Sequence, residues 1–564
     1  MKRICLFFFV SFTFSLNLSA QFSKYIVKFK NKNGTPFSIN DPSKFLSQRA
    51  IERRTKQHIS IDETDLPVTP SYVDSVRLAG SVKILDQSKW LNQICIETTD
   101  STALSKINRF SFVIKTQPLE RHAFAERNQF DEQVRKDKFN EQLSHIAAPL
   151  SVTDDHFSYG HSFSQIHIHH GEYLHNKGFH GEGMLIAVID AGFYHYKTLP
   201  AFDSVNIKGL VVETYDFVNN EESVNEDNEH GMMCFSIIAA NIPGQFIGTS
   251  PNAHFLLYRS EDASSESPVE EQYWVAAAER ADSAGTDIIT TSLGYNLFDN
   301  PVFNYTYADM NGHTSIIAKA ATIAARKGMI VLAAAGNEGD DSWHFISTPG
   351  DADSILTVGA VDASGNVAAF SSYGPSSDGR VKPTSASVGF GTVVSSPTGG
   401  LLSGNGTSFA TPDLAGLVTC LWQAFPEFTN MEIIEAVEKS SSIYQNPDNR
   451  IGYGIPDFEK AFDDLSQQRI LKNAATILGN RSMKIFPNPF KDQFTVLIKP
   501  GNTSTGTFEL YDAGGKLYFQ KRVPLQKDVI QLIHFGQIQP LQRGLYVLKF
   551  SDRTSAESFK LMVD

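Results

Sequence analysis

The chain has 564 residues, 41% of them hydrophobic and 20% charged. That is enough for roughly three or four domains with buried cores, and it excludes global disorder. The formal net charge of -13 excludes the basic face that a nucleic-acid partner requires.

At the N-terminus, Lys2 and Arg3 precede an apolar run over residues 4–16, and Leu18-Ser19-Ala20 places small residues before Gln21. This is the plan of a secretory signal peptide over residues 1–20, too short to span a membrane. No other stretch is apolar for long enough, so no transmembrane segment is expected in the mature protein. Cys5 leaves with the signal. Cys95, Cys234 and Cys420 remain, odd in number and widely spaced, and make no disulfide framework.

Residues 21–150 read as a small α+β region. Residues 24–29 alternate as a strand, residues 43–57 form a basic stretch of helical period, and residues 93–96 give a second strand. A polar, charge-rich segment over residues 120–137 follows. No acid–base or metal constellation is present here.

Residues 151–466 change character. Residues 184–189, 286–291 and 329–334 read as buried strands. Residues 271–284 and 314–327 carry helical periodicity and end at Gly285 and Gly328, suited to helix C-termini. Alternating strands and helices predict an α/β fold, a mostly parallel sheet with helices on both faces. Sites in such sheets lie at the carboxyl ends of strands.

Three residue groups stand there. Asp190 closes an apolar strand, a position equally suited to a structural or helix-capping carboxylate. His230, in Glu229-His230-Gly231, opens an apolar run over residues 232–240, as a base or as a hydrogen-bonded structural histidine. Gly404-Asn405-Gly406-Thr407-Ser408-Phe409-Ala410-Thr411-Pro412 leads into a helix apolar to Phe425. Thr407 or Ser408 there also reads as an ordinary N-cap.

Taken together, and in the order Asp, His, Ser, these segments resemble the subtilisin superfamily of serine proteases. Ala333-Ala334-Ala335-Gly336-Asn337-Glu338-Gly339 is similar to the family's oxyanion segment, and Ser292-Leu293-Gly294 to its substrate-pairing strand. Gly452-Tyr453-Gly454-Ile455-Pro456-Asp457 resembles the close of its catalytic domain. The resemblance implies a subtilisin-like catalytic domain over residues 151–466 acting on protein or peptide substrates. Asp190, His230 and Ser408 are then catalytic, and Asn337 is the oxyanion-hole side chain. Ser292, Leu293, Gly294, Ala335 and Gly336 are expected to bind substrate, with small residues at the wall to admit a large apolar side chain. Phe409 stands where the family has Met, and Met232-Met233 follow Gly231 where Thr-His is common. The loop at Lys382-Pro383-Thr384 is altered as well. His230 in the base position speaks against the sedolisin branch, which uses Glu.

Residues 21–150 then resemble a family propeptide, removed near the start of the catalytic domain. Seven histidines lie between His156 and His180, but His167-x-His169-His170 suits no common metal site and falls where the family has a surface helix. The acidic residues 219–229 read as a solvated loop. Subtilisins often bind calcium, but no matched motif supports it, and no cofactor or metal is expected. Glu270-Glu271 read as acidic residues favouring a helix start.

After a linker over residues 467–481, residues 482–564 are all strand in pattern, with a hairpin signal at Asp512-Ala513-Gly514-Gly515. Ile485-Phe486-Pro487-Asn488-Pro489-Phe490 and Gly544-Leu545-Tyr546-Val547-Leu548, ending in Lys560-Leu561-Met562-Val563, resemble the C-terminal sorting domain of the type IX secretion system in Bacteroidota. That resemblance implies a β-sandwich, a partner in the outer-membrane secretion machinery, and a secreted or cell-surface protein exported through the periplasm.

Overall fold

The structure, a computed structural model, describes residues 22–121, 139, 142–146, 155–536, 538 and 541–564. The expected signal peptide and most of the polar segment 120–137 lie outside the described residues. The chain divides into two compact units, Met1–Glu459 and Lys460–Asp564.

The first unit opens with an antiparallel sheet in the order β2-β3-β1-β4: β1 Phe22–Phe29, β2 Lys83–Ser88, β3 Gln93–Glu97 and β4 Val113–Arg121. Both faces of β1 are covered. Tyr25 and Val27 pack with Val73, Val76 and Ile107 of helices α2 (Pro70–Arg77) and α3 (Ser101–Ile107). Ile26 turns the other way, into the main core. Helix α1 is Gln48–Lys56, shorter than expected over residues 43–57, because Ser47 caps it by accepting from Ala50 N and a separate 3-10 turn takes Pro42–Lys44.

The central sheet has seven strands in the order β14-β13-β12-β11-β6-β10-β7, every pair parallel. They are β6 Leu185–Asp190, β7 Val211–Asp216, β10 His254–Arg259, β11 Ile288–Thr291, β12 Ile330–Ala334, β13 Leu356–Val361 and β14 Ser385–Val388. A two-stranded pair, β8 Asn241–Ile242 and β9 Phe246–Ile247, precedes β10. Strands covered on both faces read as unbroken Ile, Val, Leu and Ala runs, which is why they were legible. Helices α4 (His230–Ala239) and α7 (Thr407–Ala424) are buried on nearly every side, whereas α5 (Val269–Ala284) and α6 (Ile316–Arg326) pack with the sheet in the main core. Helix α6 starts two residues late because Ser315 caps it, accepting from Ala318 N at 3.1 Å. Glu271 does not simply favour its own helix start. It is fully buried and accepts from Ile316 N and Ile317 N, capping α6 instead.

The histidine-rich segment is not a surface helix. It forms two short helices, Phe163–His167 and Gly171–Asn176, and His169 and His175 are fully buried. His169 holds Pro456 O at 2.9 Å and Ser387 Oγ at 2.7 Å, and His175 holds Tyr159 Oη and Thr249 O. Burial pushes both imidazoles down to about 4, so they stay neutral.

Residues 467–481, expected as a linker, lie largely in the helices Phe458–Lys472 and Ala474–Leu478. Buried Ala461/Leu465 and Ala474/Leu478 repeat at the one-turn spacing that the loop reading passed over. The second unit has strands β17 (Met483–Phe486), β18 (Phe494–Ile498), β21 (Gln531–Phe535), β22 (Gly544–Ser551) and β23 (Ala556–Val563) besides β19 (Ser504–Asp512) and β20 (Leu517–Leu525). It packs a three-stranded sheet, β17-β18-β21, with a four-stranded one, β20-β19-β22-β23, around Phe494, Val496, Phe508, Leu510 and Phe550. The expected hairpin joins β19 to β20. Asp512 Oδ1 accepts from Gly514 N and Lys516 N in its turn.

Candidate active site

Asp190 ends strand β6, which lies between β11 and β10, and is fully buried. One oxygen, Oδ1, accepts from Ala191 N at 2.7 Å and from His230 Nδ1 at 2.6 Å. Asp190 therefore caps no helix. His230 is the first residue of α4, its backbone N–H donated to Asn228 Oδ1 at 2.8 Å. A Cβ on Gly231 would stand 2.4 Å from Gly192 O and 2.7 Å from Asp190 Cβ. Only glycine lets the strand end and the helix start approach this closely.

Ser408 is not the N-cap, and neither is Thr407; the cap is Gly406, which has no side chain to close the helix start. Ser408 sits in the first turn of α7, where backbone N–H groups have no intrahelical acceptor. Its carbonyl is held by Ser292 Oγ at 2.7 Å and Cys234 Sγ at 3.4 Å. Cys234 stands one turn beyond His230, its Sγ 3.9 Å from Nε2. The i, i+4 spacing of His230 and Cys234 is the one local signal for that neighbour. Asn337 Oδ1 accepts from Thr407 N at 2.8 Å and Thr407 Oγ1 at 2.9 Å, which leaves its Nδ2 end for the cleft.

His230, Ser408, Asn337, Ser292, Leu293, Gly294 and Gly336 all line one cleft of about 650 Å³. Ala335 does not reach it. It is buried, with its N–H on Val358 O and its carbonyl on Ser347 N, and its neighbours Ala334 and Gly336 form the wall. The cleft also carries Glu261, Glu266, Asp299 and Glu338, acids that the small-residue wall gave no hint of. Glu338 Oε2 accepts from Ser372 Oγ at 2.9 Å, and burial raises this carboxyl. Among the described residues, donor trios within 4.8 Å are Asp190/His230/Cys234 and Glu261/Glu266/Glu270. Several of their oxygens are already engaged: Tyr295 Oη donates to Glu261, and Asp262 N and Ser267 N donate to Glu270.

Phe139 reaches this cleft. A little further on, β5 (Ser144–His145) pairs antiparallel with Leu402 and Ser403 of β16 (Leu401–Asn405), the strand that leads to Ser408.

A match to the subtilase family covers residues 181–454. The chain is 30% identical to subtilisin Savinase of Lederbergia lenta over 288 residues, spanning 93% of that protein and 51% of this chain. The chain belongs to the subtilase family. Other matches show that this subtilase carries a Bacteroidota peptidase S8 propeptide domain over residues 24–136 and a secretion system C-terminal sorting domain over residues 484–564. It is 27% identical to the serine protease AprX of Bacillus subtilis, covering 49% of this chain and 64% of that one. It is 31% identical to a thermophilic serine proteinase of Bacillus sp. AK1, covering 48% of this chain and 60% of that one. This subtilase thus spans less than two thirds of those two relatives. The solved MycP3 protease of a type VII (ESX-3) secretion system aligns at 20% identity and a TM-score of 0.44, over 57% of this chain and 94% of that one.

Proposed function

We propose that this subtilase is a secreted serine endopeptidase that hydrolyses peptide bonds with Asp190, His230 and Ser408. The observation that carries the reading is the 2.6 Å bond from buried Asp190 to His230, which lines the same cleft as Ser408 and Asn337. Asp190 accepts from Nδ1–H, which leaves Nε2 basic. Nε2 takes the Ser408 hydroxyl proton as Oγ attacks the substrate carbonyl, and returns it to the leaving amine as the acyl-enzyme forms. Water, activated by the same nitrogen, then releases the acyl group. The oxyanion is met by the Asn337 amide N–H and the Ser408 backbone N–H, with the α7 N-terminus behind them. Ser292, Leu293, Gly294 and Gly336 face the substrate backbone. No step needs a cofactor.

The other reading is a binding module that has kept the fold without the chemistry. His230, Ser408 and Asn337 in one cleft, with Asp190 bonded to His230 from behind, favour the enzyme. The wild-type chain is expected to process itself and cleave casein, and Ser408→Ala to accumulate as an uncleaved, inactive precursor. An Ala variant that matured and cleaved casein at the wild-type rate would overturn the assignment. The signal-like N-terminus and the sorting domain support export through the periplasm and, by the type IX machinery, to the cell surface or beyond. Removing residues 482–564 is expected to leave the protein in the periplasm.

A further inference from the structure

Strands β6, β10 and β7 are neighbours, and in register they end together at Asp190, Arg259 and Asp216. Arg259 does not line the cleft and is only 8% exposed. Its guanidinium fans out behind the Asp190–His230 couple. Nε donates to Ala191 O and to Glu261 O, each at 3.2 Å. Nη1 lies 2.8 Å from Asp216 Oδ2 and 2.9 Å from Asp227 Oδ1.

Each of these acceptors fixes a different piece of chain. Ala191 directly follows Asp190. Asp216 begins the loop that ends at His230, and its other oxygen accepts from Val218 N and Asn219 N. Asp227 stands near the end of that loop. It is packed so closely that a Cβ on Gly192 would lie 2.4 Å from its own. The next residue, Asn228, accepts from His230 N. The acidic loop 219–229 is therefore not simply solvated, because Asp227 is drawn in to share one cation with Asp216.

We propose that Arg259 is a positioning residue for the reaction assigned above, clamping the segments that carry Asp190 and His230 into hydrogen-bonding register. The inference rests on that hydrolytic reading. The clamp needs a planar fork, because four oxygens in three directions exceed what an ammonium group satisfies. It also needs positive charge. Burial raises Asp227 to about 6, with Asp216, Glu221 and Glu226 raising it further and Arg259 opposing them. Without the cation nothing draws Asp227 to Asp216, and the loop between them is free to carry His230 away from Asp190. A misplacement of about 1 Å at such a couple costs on the order of 10²-fold in rate. The substrate wall at Ser292, Leu293 and Gly294 follows β11, which the clamp does not touch; of the cleft residues the clamp meets only Glu261, through its backbone carbonyl.

The test uses full-length, self-processed protein, labelled casein as substrate, and the rate at which phenylmethylsulfonyl fluoride modifies Ser408. For Arg259→Met the expected result is a fall in kcat of about 10²-fold with KM held within about twofold, and a parallel loss in sulfonylation rate. Arg259→Lys is expected between Met and wild type, a partial rescue by charge alone. Asp227→Asn is expected to lower kcat and spare KM in the same way, and it and the Lys variant decide the matter if the Met variant does not mature. Wild-type kcat in Arg259→Met, or in both Arg259→Lys and Asp227→Asn, would overturn the proposal, as would a loss confined to KM. A wild-type chain that leaves casein intact would bring down the hydrolase reading with it. An active wild type beside an equally active Arg259→Met sinks the clamp alone.

Discussion

Phe139 lays its ring against the imidazole of His230, with centroids 4.3 Å apart and the planes inclined by 32°. Four residues separate it from Ser144, which is already hydrogen-bonded into a sheet with β16. Strand β16 ends at Asn405, three residues before Ser408. Phe139 thus stands at the base and Ser144 beside the strand that leads to the nucleophile, which makes the segment between them the expected point of self-cleavage. The first residue of the mature protein is therefore expected between Asn140 and Ser144. N-terminal sequencing of the processed wild type checks this, and a start upstream of β4 or beyond residue 155 contradicts it.

Asn337→Ala is expected to reduce kcat by about 10²–10³ with little change in KM, a magnitude carried over from a subtilisin that lost its oxyanion-hole asparagine. Asn337 Oδ1 also anchors Thr407 N. Asn337→Asp, which keeps that acceptor but loses the Nδ2 donor, is expected to fall nearly as far. Initial rates on casein for the two variants separate the donor from the anchor.

Asp282 of α5 is fully buried and gathers Arg54 at 2.9 Å and Lys89 at 3.4 Å, with Arg53 beside them. Burial alone would raise its carboxyl, but Lys89, Arg53 and Arg54 hold it well below the usual range. All three cations come from the propeptide. Removing one partner of a buried ion group leaves the others uncompensated and costs about 3–5 kcal/mol. Asp282→Ala in a Ser408→Ala background is expected to lower precursor stability by about that much, read from its denaturant midpoint.

Asp86 of β2 gives the propeptide interface a pH dependence. Its Oδ1 accepts from Gln272 Nε2 at 2.6 Å, while Oδ2 is buried without a hydrogen-bond partner among the described residues. Burial pushes this carboxyl up to about 8, further raised by Glu279 and opposed by Gln272. Between its ordinary value near 4 and about 8, the assembled precursor holds a proton that the unfolded chain has released. The stability Asp86 contributes is thus complete below about pH 4 and drains as pH rises toward 8. Thermal melts of the Ser408→Ala precursor are expected to fall from pH 6 to pH 8, and Asp86→Asn to flatten that part of the curve.

The fold was readable where a single strand or helix carries its own pattern. The runs ending at Asp190, Thr291 and Ala334 are buried on both faces, so their composition alone marked them. Asp190, His230, Ser408 and Asn337 became legible through residues flanking them in sequence. Arg259 did not, because its partners lie on neighbouring parallel strands whose order no local pattern records. Ala335 was misplaced for a related reason: whether a residue at a strand end faces the cleft or the sheet depends on its bonds to β13. Phe139 lacked any local mark, since its meaning comes entirely from a ring 91 positions away.

The face of α5 that receives the propeptide offers Gln272, Glu279 and Asp282 alongside Tyr273 and Ala276. When the propeptide leaves it takes Arg53, Arg54 and Lys89 away, and among the apolar contacts of Tyr273 and Ala276 it uncovers two carboxylates and the Gln272 amide. Water rehydrates the charged positions readily, so the flank left behind carries acidic charge that offsets its newly bared apolar surface. The same ion pairs that lock the precursor together thus leave behind like charges that keep separated copies apart.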